Sequence, residues 1–66
     1  ISGMNKEGIA SFKQAIRINP NYADAHLYLG SIYAFSNNRG SALEQHKILE
    51  NLDPEKANEL FDLIYK

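Results

Sequence analysis

Apolar residues recur at intervals of three and four along most of the chain, and no stretch alternates apolar and polar residues convincingly. This spacing places the apolar side chains on one face of a helix. Two prolines, Pro20 and Pro54, interrupt the pattern, since the residue before a proline avoids the helical backbone. A third interruption is the polar turn from Ser36 to Gly40. The sequence therefore predicts four helices, over about residues 5–19, 22–36, 39–51 and 55–66.

The second predicted helix differs from the others because it is apolar on more than one side, with Leu27, Tyr28 and Phe35 outside its main face. Such a helix is sandwiched between neighbours. The predicted inward positions, in chain order, are Ile9, Phe12, Ala15, Ile16 and Ile18, then Ala25, Leu29, Ile32 and Tyr33, then Ala42, Leu43, His46, Leu49 and Leu52, and finally Ala57, Leu60, Phe61 and Ile64.

The turns contain asparagines at positions that suit helix ends. Asn21 is the predicted N-cap of the second helix, with Asp24 three residues later. Asn37 tolerates a left-handed backbone and can close that helix, while Asn38 can cap the next one. Each loop is only a few residues long, so successive helices are predicted to be antiparallel neighbours.

The chain also repeats itself at a shift of 34 residues. Asn19-Pro20 matches Asp53-Pro54, and small and apolar positions match at the same shift. The matched pairs are Gly8 with Ala42, Ile9 with Leu43, Ile18 with Leu52, Ala23 with Ala57 and Leu29 with Leu63. A fixed period of this length is typical of helical repeat arrays.

One window is more specific. The run His26-x-x-Leu29-Gly30-x-x-Tyr33, followed by Ala42-x-x-x-His46 and Pro54, resembles the tetratricopeptide repeat (TPR) family. Gly8-x-x-x-Phe12-x-x-Ala15, followed by Pro20, repeats its second half. The family often has Trp at position 26, an aromatic residue at 46 and Ala at 49. The resemblance implies an all-α fold of antiparallel helix-turn-helix repeats, an α-solenoid fragment of about one and a half repeats and a closing helix.

Residues 5–66 are predicted to form this single domain, while Ile1-Ser2-Gly3 resembles a cloning remnant in front of a starting Met4. The formal net charge of −1 argues against nucleic acid as a partner, because phosphate binding needs a basic patch. No apolar run reaches the roughly 18 residues of a membrane span. The chain has no cysteine, which excludes disulfides and thiolate metal sites.

No catalytic, cofactor-binding or metal-binding constellation is visible. Gly30 and Gly40 stand alone rather than in a phosphate-binding loop, and no zinc-protease motif or catalytic triad can be assembled. His26 and His46 could in principle bind a metal or act as a pH switch. Two ligands rarely suffice for a closed metal site, so the favoured interpretation is that both pack in the repeat, each with one hydrogen bond.

In TPR arrays the first helix of each repeat lines a concave groove, and the resemblance implies that this groove binds proteins or peptides. The residues that correspond to this face are Asp24, Leu27, Tyr28, Ser31, Ala34 and Phe35 in the second helix, and Asn58, Phe61, Asp62 and Tyr65 in the fourth. Asp24 and Asp62 would repel a carboxylate, so an apolar or mildly basic peptide or helix is the predicted partner. Tyr28 and Phe35 could instead pack on other helices of the array.

The first helix supports an alternative function. No helix precedes it in the sequence, so part of the stripe formed by Ile9, Phe12 and Ile16 is predicted to be bare. A structural scaffold that self-associates through this stripe, as a homo-oligomer, is the alternative to a peptide-docking module. A fragment of a longer TPR array, or of the regulatory arm of a larger enzyme, is also consistent with the residues. Lys6, Lys13, Arg17, Glu44, Lys47 and Glu50 are interpreted as a solvated face.

Overall fold

Four helices account for nearly all of the chain. In the computed structural model, the backbone is described for residues 2–65 and the side chains for residues 6–65. The helices are α1 (Ser2–Ile18), α2 (Ala23–Phe35), α3 (Arg39–Leu52) and α4 (Pro54–Tyr65), and the described backbone contains no strand. The connections of four, three and one residues make successive helices antiparallel neighbours. The predicted all-α repeat fold is confirmed.

The helix ends lie within a few residues of the predicted ones. α1 begins at Ser2, so Ser2, Gly3 and Met4 are helical although they were expected to precede the domain. Ile1 and Lys66 lie outside the described residues. α4 begins at Pro54 itself, because the first position of a helix needs no backbone N–H donor and suits the fixed φ of proline.

α2 is the central helix, as its apolar sides predicted. It packs against α1, α3 and α4, whereas α1 packs against α2 alone among the described helices. The buried core is centred between α3 and α4 and is partly covered by α2; its members are Ala42, Leu49, Ala57, Leu60 and Ile64. Two predicted inward positions are wrong, because Ile18 at the end of α1 is 76% exposed and Phe61 is 46% exposed.

The turn between α2 and α3 has the geometry that asparagine favours. Asn37 has a φ of 62°, in the left-handed region. The N–H of Asn38 donates to Tyr33 O at 2.8 Å, and the N–H of Asn37 donates to Ala34 O at 3.2 Å. This pair of bonds is the Schellman motif, which satisfies the last carbonyls of a helix. The prediction that Asn37 closes α2 is confirmed.

The predicted N-caps are not formed by side chains. Tyr22, not Asn21, occupies the N-cap position of α2, and neither Tyr22 nor Asn38 makes a side-chain cap hydrogen bond. Asn21 instead donates its backbone N–H to Asn19 Oδ1 at 3.2 Å, which stabilises the turn after α1.

The side chain of Asp53 caps the start of α4, a role that the sequence pattern did not predict. Its Oδ1 accepts from the backbone N–H of Lys56 at 3.3 Å, at the start of α4. Its Oδ2 also accepts from Lys56 Nζ at 3.3 Å. The backbone hydrogen bond from Lys56, followed by the side-chain bond, lowers the pKa of Asp53 below its ordinary value of 3.8.

This cap predicts a pH dependence of stability. A lowered native-state pKa stabilises the fold fully above the ordinary value of 3.8, and the stabilisation is lost as the pH falls through the native pKa. We expect wild type to be more stable than Asp53→Asn in urea at pH 7, because Asn keeps an oxygen acceptor but loses the charge. The difference between the two unfolding midpoints should shrink as the pH falls below about 4. A difference that stays constant from pH 7 to pH 3 would contradict the assignment.

Candidate functional site

An exposed stripe runs along α2. Asp24, Tyr28 and Phe35 are spaced four and seven residues apart, which places them on one face of the helix. All three are exposed, with Tyr28 at 52% and Phe35 at 75%. We call these three residues the α2 stripe. Large aromatic side chains that remain this exposed on a packed helix are typical of contact surfaces.

The other three α2 residues predicted for this face, Leu27, Ser31 and Ala34, are partly buried. Leu27 and Ala34 pack against the core cluster. The Ser31 hydroxyl donates to Leu27 O at 2.8 Å, a bond within the helix itself. These three residues therefore contribute more to the floor beside the stripe than to an accessible surface.

Two of the α4 residues predicted for the same face, Phe61 and Tyr65, belong to a second cluster. The rings of Phe61 and Tyr65 are 4.8 Å apart between centroids. The His46 ring is 5.6 Å from Phe61, and the Arg39 guanidinium carbon lies 5.4 Å from the centroid of Tyr65. We call these four residues the α3–α4 patch. Asn58 is exposed on the same helix, three residues before Phe61.

Arg39 and His46 were not predicted from the sequence to belong to a surface cluster. The signal that could have found them is the short connection at Asp53, which folds α3 and α4 back on each other. Residues at similar distances on either side of Asp53 then become neighbours, as His46 and Phe61 do. A further signal is that arginine is often found over an aromatic ring.

α2 covers part of the predicted self-association stripe. Ile9, Phe12 and Ile16 are each half-buried. The Phe12 ring lies 5.5 Å from the ring of Tyr28, so the α2 stripe continues onto α1 through an aromatic contact.

The surface around Asp24 is less acidic than the sequence suggested, because a lysine lies beside it. Lys56 Nζ lies 3.4 Å from Asp24 Oδ1 and 3.3 Å from Asp53 Oδ2. The hydrogen bonds to Asp53 and then to Asp24 raise the pKa of Lys56 above its ordinary value of 10.5. Lys56 therefore supplies a cation beside the α2 stripe, shared between two carboxylates.

The two histidines have different environments. His26 is buried, and its Nδ1 and Nε2 lie 2.6 Å from Gln45 Oε1 and 2.8 Å from Pro20 O. These contacts join α2 to α3 and to the preceding turn. His46 is half-buried against Phe61. Residues 6–65 contain no group of three or more His, Cys, Asp or Glu side chains arranged to hold a metal ion.

A comparison with known protein families shows the family to which the chain belongs. A family model described as "TPR repeat" matches residues 2–34, half of the 66-residue sequence. The chain belongs to the TPR repeat family. The match covers α1 and all but the last residue of α2, so the 34-residue internal repeat extends the TPR pattern through α3 and α4. The comparisons with curated proteins and with solved structures give no match.

TPR proteins are generally protein–protein interaction modules, and the family is typically non-catalytic. TPR domains bind proteins or peptides. Among the described helices, none combines the length and the apolar character needed to cross a membrane.

Proposed function

We propose that this TPR domain docks an apolar or mildly basic peptide or helix of another protein on the α2 stripe. The observation that carries the proposal is the exposure of two large aromatic side chains, Tyr28 and Phe35, on one face of the central helix. Aromatic residues bury a large area with few rotatable bonds, which makes them effective anchors in protein interfaces.

Each residue of the proposed surface has a distinct role. Tyr28 and Phe35 are the anchors, and Asp24 attracts a basic residue of the partner. Leu27 and Ser31 form the floor beside them. Asn58, Phe61 and Tyr65 extend the surface along α4 for a longer partner. Asp24 shares Lys56 with Asp53, so the three groups together carry one net negative charge, which favours a mildly basic ligand over an acidic one.

A different observation supports the alternative function, a structural scaffold that self-associates through α1. Of the helices that the structure describes, α1 packs against α2 only, so a second chain could complete the partial burial of Ile9, Phe12 and Ile16. This alternative needs no ligand on the α2 stripe.

Peptide binding tests the docking proposal directly. Two synthetic amphipathic helical peptides with the same apolar face, one carrying lysines and one carrying glutamates, can be titrated by fluorescence anisotropy. We expect saturable binding of the lysine peptide and weaker binding of the glutamate peptide. Phe35→Ala and Tyr28→Ala should each weaken binding of the lysine peptide by about tenfold or more, as expected for anchors.

Ile48→Ala is the matched control, because Ile48 is an exposed large apolar side chain on α3, outside the proposed surface. It should leave the affinity unchanged. Binding that is insensitive to Phe35→Ala and Tyr28→Ala would exclude the α2 stripe as the docking surface, and equal binding of both peptides would exclude the preference for a basic ligand.

A further inference from the structure

One face of α1 has no partner among the described helices. None of its described side chains, residues 6–18, is fully buried, whereas α2, α3 and α4 each bury at least two. Ile9 and Ile16 are half-buried, and Ile18 is exposed at the end of the helix. A helix held on one side only presents apolar area that an additional chain could cover.

The uncovered side of α1 is basic. Lys6, Lys13 and Arg17 are spaced seven and four residues apart, so they share one edge of the helix, and all three are exposed. With Glu7, the formal charge of α1 is +2. Helical periodicity places this edge next to Ile9 and Ile16, so the apolar and basic positions form one surface.

α4 carries the opposite charge. Glu55, Glu59 and Asp62 are spaced four and three residues apart, so they also share one edge, and all three are exposed. With Lys56, the formal charge of the described α4 is −2. The exposed Tyr65 is three residues after Asp62 and lies next to this edge, so α4 combines acidic and aromatic positions.

We propose that the basic face of α1 docks on the acidic face of α4 in a second copy of this chain. Within one copy the two surfaces do not pair, because among the described helices α1 packs against α2 only and α4 packs against α2 and α3. Opposite charges on separate surfaces make the chain complementary to itself in a head-to-tail arrangement, which can close into a ring or grow as a chain. The net charge of −1 gives little overall repulsion between copies. The proposal does not depend on peptide binding, which Tyr28 and Phe35 carry.

Charge exchange between the two faces tests this contact. Lys13→Glu/Arg17→Glu changes the formal charge of α1 from +2 to −2, and Glu59→Lys/Asp62→Lys changes that of α4 from −2 to +2. Molar mass is measured by sedimentation velocity from micromolar to millimolar concentration, in low and in high salt. The mass of wild type should rise with concentration in low salt and fall back in high salt. Each double variant alone should associate at least about tenfold more weakly.

An equimolar mixture of the two double variants should associate again, because each variant then meets a face of opposite charge. This rescue also shows that both variants are folded. Lys47→Glu is the control for the kind of substitution used in α1, since it reverses one charge at an exposed site on α3 and should not affect association. A wild type that is monomeric at the highest concentration would overturn the proposal, and so would association that both double variants retain.

Discussion

Leu60→Ala is expected to lower the free energy of unfolding by about 2 to 5 kcal/mol, as removal of a fully buried leucine does in other cores. Leu60 has no exposed surface and lies in the core cluster between α3 and α4. The total stability of a domain of this size is on the order of 5 kcal/mol. A large part of the population should therefore be unfolded at 25 °C, which urea titration followed by circular dichroism measures.

Leu63→Ala is the matched control for this substitution. Leu63 is three residues further along the same helix and is only half-buried. The loss of stability should be clearly smaller, because less apolar surface returns to water and no closed cavity forms. Equal losses for the two variants would show that Leu60 does not occupy the centre of the core.

Gly30→Ala is expected to destabilise the fold by about 1 to 3 kcal/mol, although alanine is the better helix former. Gly30 lies where α2 meets α3 and α4. A Cβ at this position would lie 2.5 Å from Leu60 Cδ2 and 3.2 Å from Gln45 Cβ. Leu60 is fully buried in the core cluster, so moving its side chain aside disturbs the packing of the residues around it. The overpacking therefore outweighs the gain in helix propensity of about 1 kcal/mol.

Gly40→Ala makes the same substitution where no atom lies within 4 Å of the new Cβ. It should raise the free energy of unfolding by up to about 1 kcal/mol, which appears as a higher unfolding midpoint.

The double variant Gly30→Ala/Leu60→Ala should lose less stability than the sum of its single variants, because the new methyl group enters space that Leu60 has vacated. Additive losses in this cycle would contradict direct contact between positions 30 and 60.

The fold could be predicted because several local signals agree. The three- and four-residue spacing of apolar positions, the two prolines and the short loops all favour antiparallel helices. The role of Asn37 also follows from local chemistry. Its backbone is left-handed, and most other residues adopt that conformation only at a higher energetic cost. The match of the family model to residues 2–34 agrees with the repeat deduced from these signals.

Which side chains meet across helices was harder to predict. Phe61 has suitable spacing for the core, but α4 is rotated so that Ala57, Leu60 and Ile64 are buried and Phe61 lies on its edge against His46. That rotation depends on the fit of whole side chains at the helix crossing, which periodicity alone does not determine. The Asp53 cap was missed because its role depends on Pro54 starting a helix rather than only ending one.

The position of α1 at the edge of the molecule has a consequence for how the protein opens. The amides of a helix exchange with solvent through the least costly opening that exposes them, and that cost depends on how much tertiary packing the opening disrupts. Among the described helices α1 packs only on α2, whereas the core cluster lies in α3 and α4. We therefore expect two levels of cooperativity, in which α1 detaches while α2 to α4 stay folded. Docking of another chain on α1 would raise the free energy needed to detach α1 toward the free energy needed to unfold α2 to α4.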